Sequence, residues 1–276
     1  VTDQTLIRVV VVECSHEASE ICADALMLLG AFAIEERNFG DRVELRCVSE
    51  TPIDSLLSVL APFDETLTVD IEYADESILS SWKDYASPVV VNASLAIVPA
   101  WLPETHFNGR VIRIDTVDAF GIGDHPTTRM CVNWLSELKF TGLNVLDAGC
   151  GTGLLAILAK MSGASRVSAV DIAESALKTT RSNAAENGVT IDLVGTWSDL
   201  NPDDRYDVVV ANILAPVLLD VAPWVIQHLS PNGIVILSGI RDTQIERIRS
   251  AYKSLTEISL ASDDGWVMMV LGRRED

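Results

Sequence analysis

Cysteines are few and badly placed for cross-linking. The five, Cys14, Cys22, Cys47, Cys131 and Cys150, are odd in number and never stand as Cys-x-x-Cys, which excludes a disulfide framework and a zinc ribbon and leaves them as small buried hydrophobes. Long apolar runs are missing too: none approaches the roughly 20 residues of a membrane-spanning helix, so a soluble protein is expected. The N-terminal VTDQTLIRVVVVECSHE lacks a basic flank before its apolar run and a small-residue cleavage site after it, so it does not read as a signal peptide and the cytoplasm is the expected location. Basic residues are scarce, 20 Lys and Arg against 40 Asp and Glu, for a net charge of −20. That balance disfavours a bare nucleic-acid backbone, whose phosphates need clustered Lys and Arg, and suits a basic partner. The acidity is densest in residues 1–75, at net −12 against −8 for the much longer remainder. General solubility and steering of a basic protein both account for it. Repeats and low-complexity tracts are absent.

What is present divides in two. A chain of 276 residues can bury a large core and fill two domains. Across residues 1–75, LIRVVVVE, AFAIEERNF, DRVELRCVSE and TLTVDIEYAD read as strands, with ASEICADALMLLGA and PIDSLLSVLAPF as amphipathic helices. The order βαββαβ is that of a small ferredoxin-like α+β sandwich. It carries no titratable cluster of catalytic type, so its expected job is binding. Residues 76–103 read as a linker: ESILSSWKDYASP as a short helix ending before Pro88, and VVVNASLAIVPAWLP as a hairpin or extended connector, with Trp82 and Trp101 as packing anchors. Residues 104–276 form the expected catalytic domain. From LNVLDAGC onward, the strands NVLDAG, RVSAVDI, IDLVG, YDVVVANIL and GIVILSGI alternate with helices, the signature of a doubly wound, Rossmann-like α/β sheet. At the end, SLTEISLASDDGWVMMVLGRR brings two strands together at Asp-Asp-Gly with no room for a crossover helix, which predicts an antiparallel hairpin.

The chemistry concentrates in VLDAGCGTGLLAILA, a strand, a glycine turn and a helix. Gly149, Gly151 and Gly153 allow a tight turn and close approach of a ligand to the main chain. Gly151-x-Gly153-x-x-Ala156 also satisfies the dinucleotide fingerprint, and Asp171, about 20 residues on, suits ribose hydroxyls in either case. The loop alone does not choose between NAD and S-adenosylmethionine. The terminal hairpin favours the second, because it is foreign to the dinucleotide fold and resembles the last two strands of class I methyltransferases. YDVVVANIL ends in Asn212, at the carboxyl edge of the sheet where a ligand in the crevice would meet it. AFGIGDHPTT, residues 119–128, is too irregular for strand or helix and raises three readings: metal site, phosphate cradle or lid. Asp124 and His125 lack further partners at metal spacing, so no metal is expected.

AFGIGDHPTTRMCVNWL, VLDAGCGTGLLAILA, AVDIAESALKTTRSNAAENGV and VVVANILAPVL stand in the order and at spacings similar to those of the bacterial methyltransferases of large-subunit ribosomal protein eleven. The chain resembles that family over nearly its whole length. The resemblance implies that S-adenosylmethionine is the cofactor and that 119–128 is a lid over it, with Thr128 among the contacts and Pro126 opening the next helix. It further implies Gly149, Gly151 and Gly153 around the methionine portion, Asp147 helping to hold its ammonium through nearby groups, and Asp171 on the ribose. Trp197 or Asp199 would border the adenine, with surface or packing roles as the alternative; for His125 a capping or packing role is expected, with general base as the alternative. Asn212 would contact the cofactor and orient the acceptor, a lysine ε-amine or N-terminal amine of a basic ribosomal protein presented by the acidic first domain. The chain departs from the pattern at Ile122 and Asp124, where the family usually has Thr, at Ala173 and Glu174 in place of Asp and Pro, at Pro216 for Gly and at Ile78 for Trp. Two alternatives remain: a different acceptor, with planar nitrogens disfavoured because NILA stands where they go with Asn-Pro-Pro-Tyr, and a noncatalytic cofactor-binding protein.

Overall fold

The computed structural model describes residues 6–75, 87–103, 106–115, 123 and 125–273. The expected helix over 76–86, with Ile78 and Trp82, lies outside them, as does half of the expected lid, Ile122 and Asp124 included. The described residues fall into two compact units, one within 1–87 and one within 88–276.

In the first unit, β1 (Leu6–Ser15), α1 (His16–Leu28), β2 (Phe32–Phe39), β3 (Arg42–Val48), α2 (Ile53–Leu60) and β4 (Thr68–Asp75) follow in the expected order. The sheet runs β2-β3-β1-β4 with every neighbour antiparallel, the ferredoxin-like arrangement. Strand alternation places Val10, Val12 and Cys14 beside Val43, Leu45 and Cys47 on one face, where Cys22 and Leu26 of α1 and Leu56 and Leu60 of α2 cover them. The other face carries charge. Arg46 pairs with Glu44 and Glu72, Arg37 with Glu35 and Glu44, and Arg42 with Glu13. Arg8 donates to the carbonyls of Ser49 and Thr51. Its four described arginines are thus engaged within it, while Glu17, Asp41, Glu50, Asp54 and Glu65 stand exposed to solvent.

The second unit opens with β5 (Val89–Asn92) and β6 (Leu95–Pro99), an antiparallel hairpin, and β7 (Arg110–Ile114), parallel to β6. RVIRI has no element assigned from sequence, yet it is a strand, and its partner, β6, comes from the segment read as a hairpin or extended connector, which forms the hairpin. The cause is burial: Leu95, Ile97, Val98, Ile112 and Ile114 are shut off from solvent.

Then follow α3 (Pro126–Glu137), β8 (Asn144–Ala148), α4 (Leu154–Met161), β9 (Arg166–Val170), α5 (Glu174–Glu186), β10 (Leu193–Gly195), β11 (Tyr206–Asn212), α6 (Ala215–His228), β12 (Leu229–Arg241), α7 (Ile245–Ala251), β13 (Leu255–Asp263) and β14 (Trp266–Arg273). The sheet order is β10-β9-β8-β11-β12-β14-β13, parallel up to β12, with β14 antiparallel to both its neighbours. The hairpin closes on Asp264 and Gly265, both at positive φ (52° and 70°), the two-residue turn whose twist matches its strands. The central strands read as unbroken apolar runs, such as Val208 to Ala211 and Val235 to Leu237, because both faces are covered. From β8 the chain builds outward through β9 and β10, then returns to β11 on the other side. The carboxyl ends of β8 and β11 therefore flank a topological switch point, where such sheets open a crevice. Among the described residues, no helix is long and apolar enough to cross a membrane.

Candidate functional site

The turn after β8 sits at that switch point. Gly149, Gly151 and Gly153 all adopt positive φ (79°, 52° and 79°). A Cβ on Gly149 would collide with the Ile213 side chain, and one on Gly153 would stand 2.8 Å from Thr180 Cγ2 and 3.1 Å from Thr180 Cα. The turn is anchored from β9: the N–H groups of Gly149 and Cys150 donate to Val170 O at 2.8 and 3.0 Å. Gly151 N–H donates to Asp171 Oδ2 and Ala173 N–H to Asp171 Oδ1, each at 3.0 Å. Asp171 is therefore fixed at the carboxyl end of β9, with lone pairs to spare on both oxygens.

Asp147, in β8, is 1% exposed. Its Oδ2 accepts from Ala156 N–H at 3.0 Å, while its Oδ1 is buried with no hydrogen-bond partner among the described residues. Burial, helped by the charge of Asp171 and opposed by the Ala156 bond, pushes this carboxyl up to about 7. Asn212, closing β11, shows the same feature. Its Nδ2 donates to Thr128 Oγ1 at 3.2 Å, and its Oδ1 is buried without a partner among the described residues. Thr128 lies in the first turn of α3, which Pro126 opens. His125 caps that helix, its Nδ1 accepting from Thr127 N–H at 3.3 Å, and its ring packs edge-on to Trp266 at 5.4 Å.

Thr128, Asp147, the three glycines, Asp171 and Asn212 thus lie along the carboxyl edge of β9, β8 and β11 and the helix beside it. Trp197 and Asp199 are otherwise engaged. Trp197 packs edge-on against Trp224 at 4.9 Å, which in turn stacks on His228. Asp199 accepts from Thr196 N–H and Oγ1–H at 2.7 and 2.9 Å, bonds that hold its carboxyl below the usual range. The structure adds residues that the sequence leaves unremarked. Ile172, next to Asp171, is 92% exposed. Thr180 Oγ1 donates to Gly151 O at 3.0 Å, and Asn183 Nδ2 to Thr152 O at 2.9 Å. Their one legible signal is two polar residues three apart on the apolar face of α5 with Leu177 and Ala184.

Chemically, the site is rich in acceptors. It offers buried or fixed oxygens to a ligand that brings an ammonium, a diol or an amine. His125 Nδ1 and Thr127 Oγ1 meet at 2.7 Å in the buried cap of α3, and burial, reinforced by Asp147 and Asp171, drives the Cys150 thiol well above its ordinary range. All five cysteines are buried and unbridged. No group of three or more His, Cys, Asp or Glu among the described residues could hold a metal ion. The arrangement can bind, orient and exclude water.

Residues 56–274 match the family model described as ribosomal protein L11 methyltransferase. The chain is 37% identical over 235 residues to the ribosomal protein L11 methyltransferase of Symbiobacterium thermophilum, covering 84% of this chain and 77% of the relative. To the protein of that name in Pseudomonas aeruginosa it is 34% identical over 283 residues, covering 94% of this chain and 96% of the relative. The solved structure of the ribosomal protein L11 methylase from Lactobacillus delbrueckii subsp. bulgaricus matches with a TM-score of 0.62 at 32% identity, over 69% of this chain and 100% of that one.

Proposed function

The chain belongs to the ribosomal protein L11 methyltransferase family, and from that membership we propose that it moves methyl groups from S-adenosylmethionine to lysine ε-amines and the N-terminal amine of ribosomal protein L11 in the cytoplasm. The observation that carries the proposal is the pair of buried, partnerless oxygens, Asp147 Oδ1 and Asn212 Oδ1, on adjacent strands beside a side-chain-free turn. Buried acceptors are costly unless satisfied, so their presence marks where a ligand's donors belong.

The residues fit the cofactor. Asp147 is the acceptor for its ammonium, through nearby groups, the lone pairs left on Asp171 suit a vicinal diol, and the exposed Ile172 gives the adenine an aliphatic surface. Thr128, held by Asn212, adds a hydroxyl contact. When bound, S-adenosylmethionine supplies an electrophilic methyl on a sulfonium for in-line displacement. The protein's part is alignment and exclusion of water. Its acceptor must first lose a proton, which for a lysine with a pKa near 10.4 costs about 4 to 5 kcal/mol at pH 7. A desolvated channel lowers that cost. Asn212 Oδ1 then accepts an N–H of the neutral amine, leaving the nitrogen lone pair to face the methyl. The test is transfer of labelled methyl into extract from cells lacking the enzyme, with mass spectrometry of the products. Label in L11 amines supports the proposal; label confined to other acceptors overturns it.

Asp147 also predicts a pH dependence. Its carboxyl is pushed up to about 7 in the folded protein from the ordinary 3.8 of an aspartate. Between those values the folded state binds the extra proton, so this group's contribution makes the ligand-free protein less stable as pH rises through that window. An ammonium prefers the ionised form, so S-adenosylmethionine affinity should rise from pH 6 to 8 and then level off, with proton uptake by buffer below about pH 7. Calorimetry in two buffers of different ionisation enthalpy measures this, and Asp147→Asn should flatten the profile. Wild-type affinity independent of pH would count against the assignment.

A further inference from the structure

Resting on that reading, we infer that Asn183 is a positioning residue for the cofactor turn, coupling the end of β7 to the main chain of residues 151–153. Its side chain is 1% exposed. Oδ1 accepts from Asp115 N–H at 2.8 Å, and the two Nδ2 hydrogens go to Asp115 O and Thr152 O, both at 2.9 Å. One helical turn on, Asn187 makes the matching pair with the next main-chain position on the same strand edge: Oδ1 accepts from Arg113 N–H at 2.8 Å and Nδ2 donates to Arg113 O at 2.7 Å. Together the two amides act as the missing neighbour strand of β7, satisfying the edge that β6 does not reach.

The two asparagines differ in one respect. The remaining Nδ2 contact of Asn187 stays within its own helix, to Asn183 O at 2.8 Å, whereas that of Asn183 crosses to the turn. Thr180, three residues before it, holds the preceding carbonyl, Gly151 O. Peptide planarity then fixes the rest: with the carbonyls of 151 and 152 drawn toward α5, the N–H groups of 152 and 153 point away from it. Gly153 N–H is taken up by Cys150 O at 2.7 Å. Asn183 thereby sets the orientation of a main chain that has three glycines and little stiffness of its own. The job of closing the β7 edge is shared by both asparagines; the job of orienting the turn belongs to Asn183.

The experiment compares Asn183→Ala and Asn187→Ala with the wild-type protein, measuring thermal midpoint, S-adenosylmethionine Kd by calorimetry, and KM and kcat on L11. Both variants should lose thermal stability. Asn183→Ala should weaken cofactor binding about tenfold, the equivalent of one hydrogen bond in a buried setting, with kcat at saturating cofactor within about twofold. Asn187→Ala should hold cofactor Kd within about twofold of wild type. If Asn183→Ala does not fold, Asn183→Asp, which keeps the shape but sets an oxygen against both carbonyls, is read the same way. Wild-type protein that fails to bind S-adenosylmethionine would overturn the functional reading itself. Wild-type binding with equal Kd for the Asn183 and Asn187 variants would overturn the positioning role alone.

Discussion

Asn212→Ala should lower kcat on L11 by about a hundredfold or more while weakening S-adenosylmethionine binding by less than about tenfold. The asymmetry follows from its two ends. Nδ2 is committed to Thr128 Oγ1 at 3.2 Å, an interaction that organises the first turn of α3 and helps shape the cofactor site. Oδ1 is buried and partnerless, and it stands at the carboxyl end of β11, across the switch point from the glycine turn. An amine held there has its rotation restricted and its lone pair aimed; without the acceptor it tumbles, and misalignment of about 1 Å suffices for a hundredfold loss. Thr128→Val provides the contrast. It removes the hydroxyl that holds Nδ2, leaves Oδ1 in place, and should cost more in cofactor affinity than in turnover. Steady-state kinetics with calorimetry separates the two. Equal losses of kcat and cofactor affinity in Asn212→Ala would refute the orienting role.

The elements around this site were legible to the degree that their signal was local. The glycine turn after NVLDA, the acid after SAV and the Asp-Asp-Gly hairpin are short-range patterns, and each dictates its own backbone: Asp264 and Gly265 take positive φ because the two-residue turn requires it. The βαββαβ order of the first unit was legible for the same reason, from alternation such as Val43, Leu45, Cys47 against Arg42, Glu44 and Arg46. RVIRI was not. Its five residues become a strand only because β6, more than ten residues upstream, pairs with one edge and two side-chain amides from α5 close the other. Nor could composition show that Asp147 has one oxygen engaged and one bare, or that Ile172 is 92% exposed just past the buried end of β9. Those facts depend on which atoms share a crevice. Thr180 and Asn183 fall between the cases: polar residues on the apolar face of a helix are visible in the sequence, but their partners, two carbonyls of a distant turn, are not.

A protein starting at residue 88 should bind S-adenosylmethionine within about twofold of the full chain, yet methylate L11 with kcat/KM reduced by about a hundredfold or more. Every site residue and the whole seven-stranded sheet belong to the second unit, so cofactor binding serves as the internal check that the shortened protein is folded. What is lost is the acidic surface. The first unit's four arginines are all spent within it, on Glu13, Glu35, Glu44, Glu72 and two carbonyls, and its surplus carboxylates face outward. A field of one sign raises the encounter rate with a basic partner by about 10 to 1,000-fold and weakens with salt. Raising ionic strength should therefore lower kcat/KM of the full chain on L11 much more than that of the shortened one, while barely changing cofactor Kd in either. Shortened protein that binds cofactor and methylates L11 as well as the full chain would show that the acidity serves solubility alone. A large loss that does not depend on salt would instead assign recognition to shape and apolar contact, with the charge incidental.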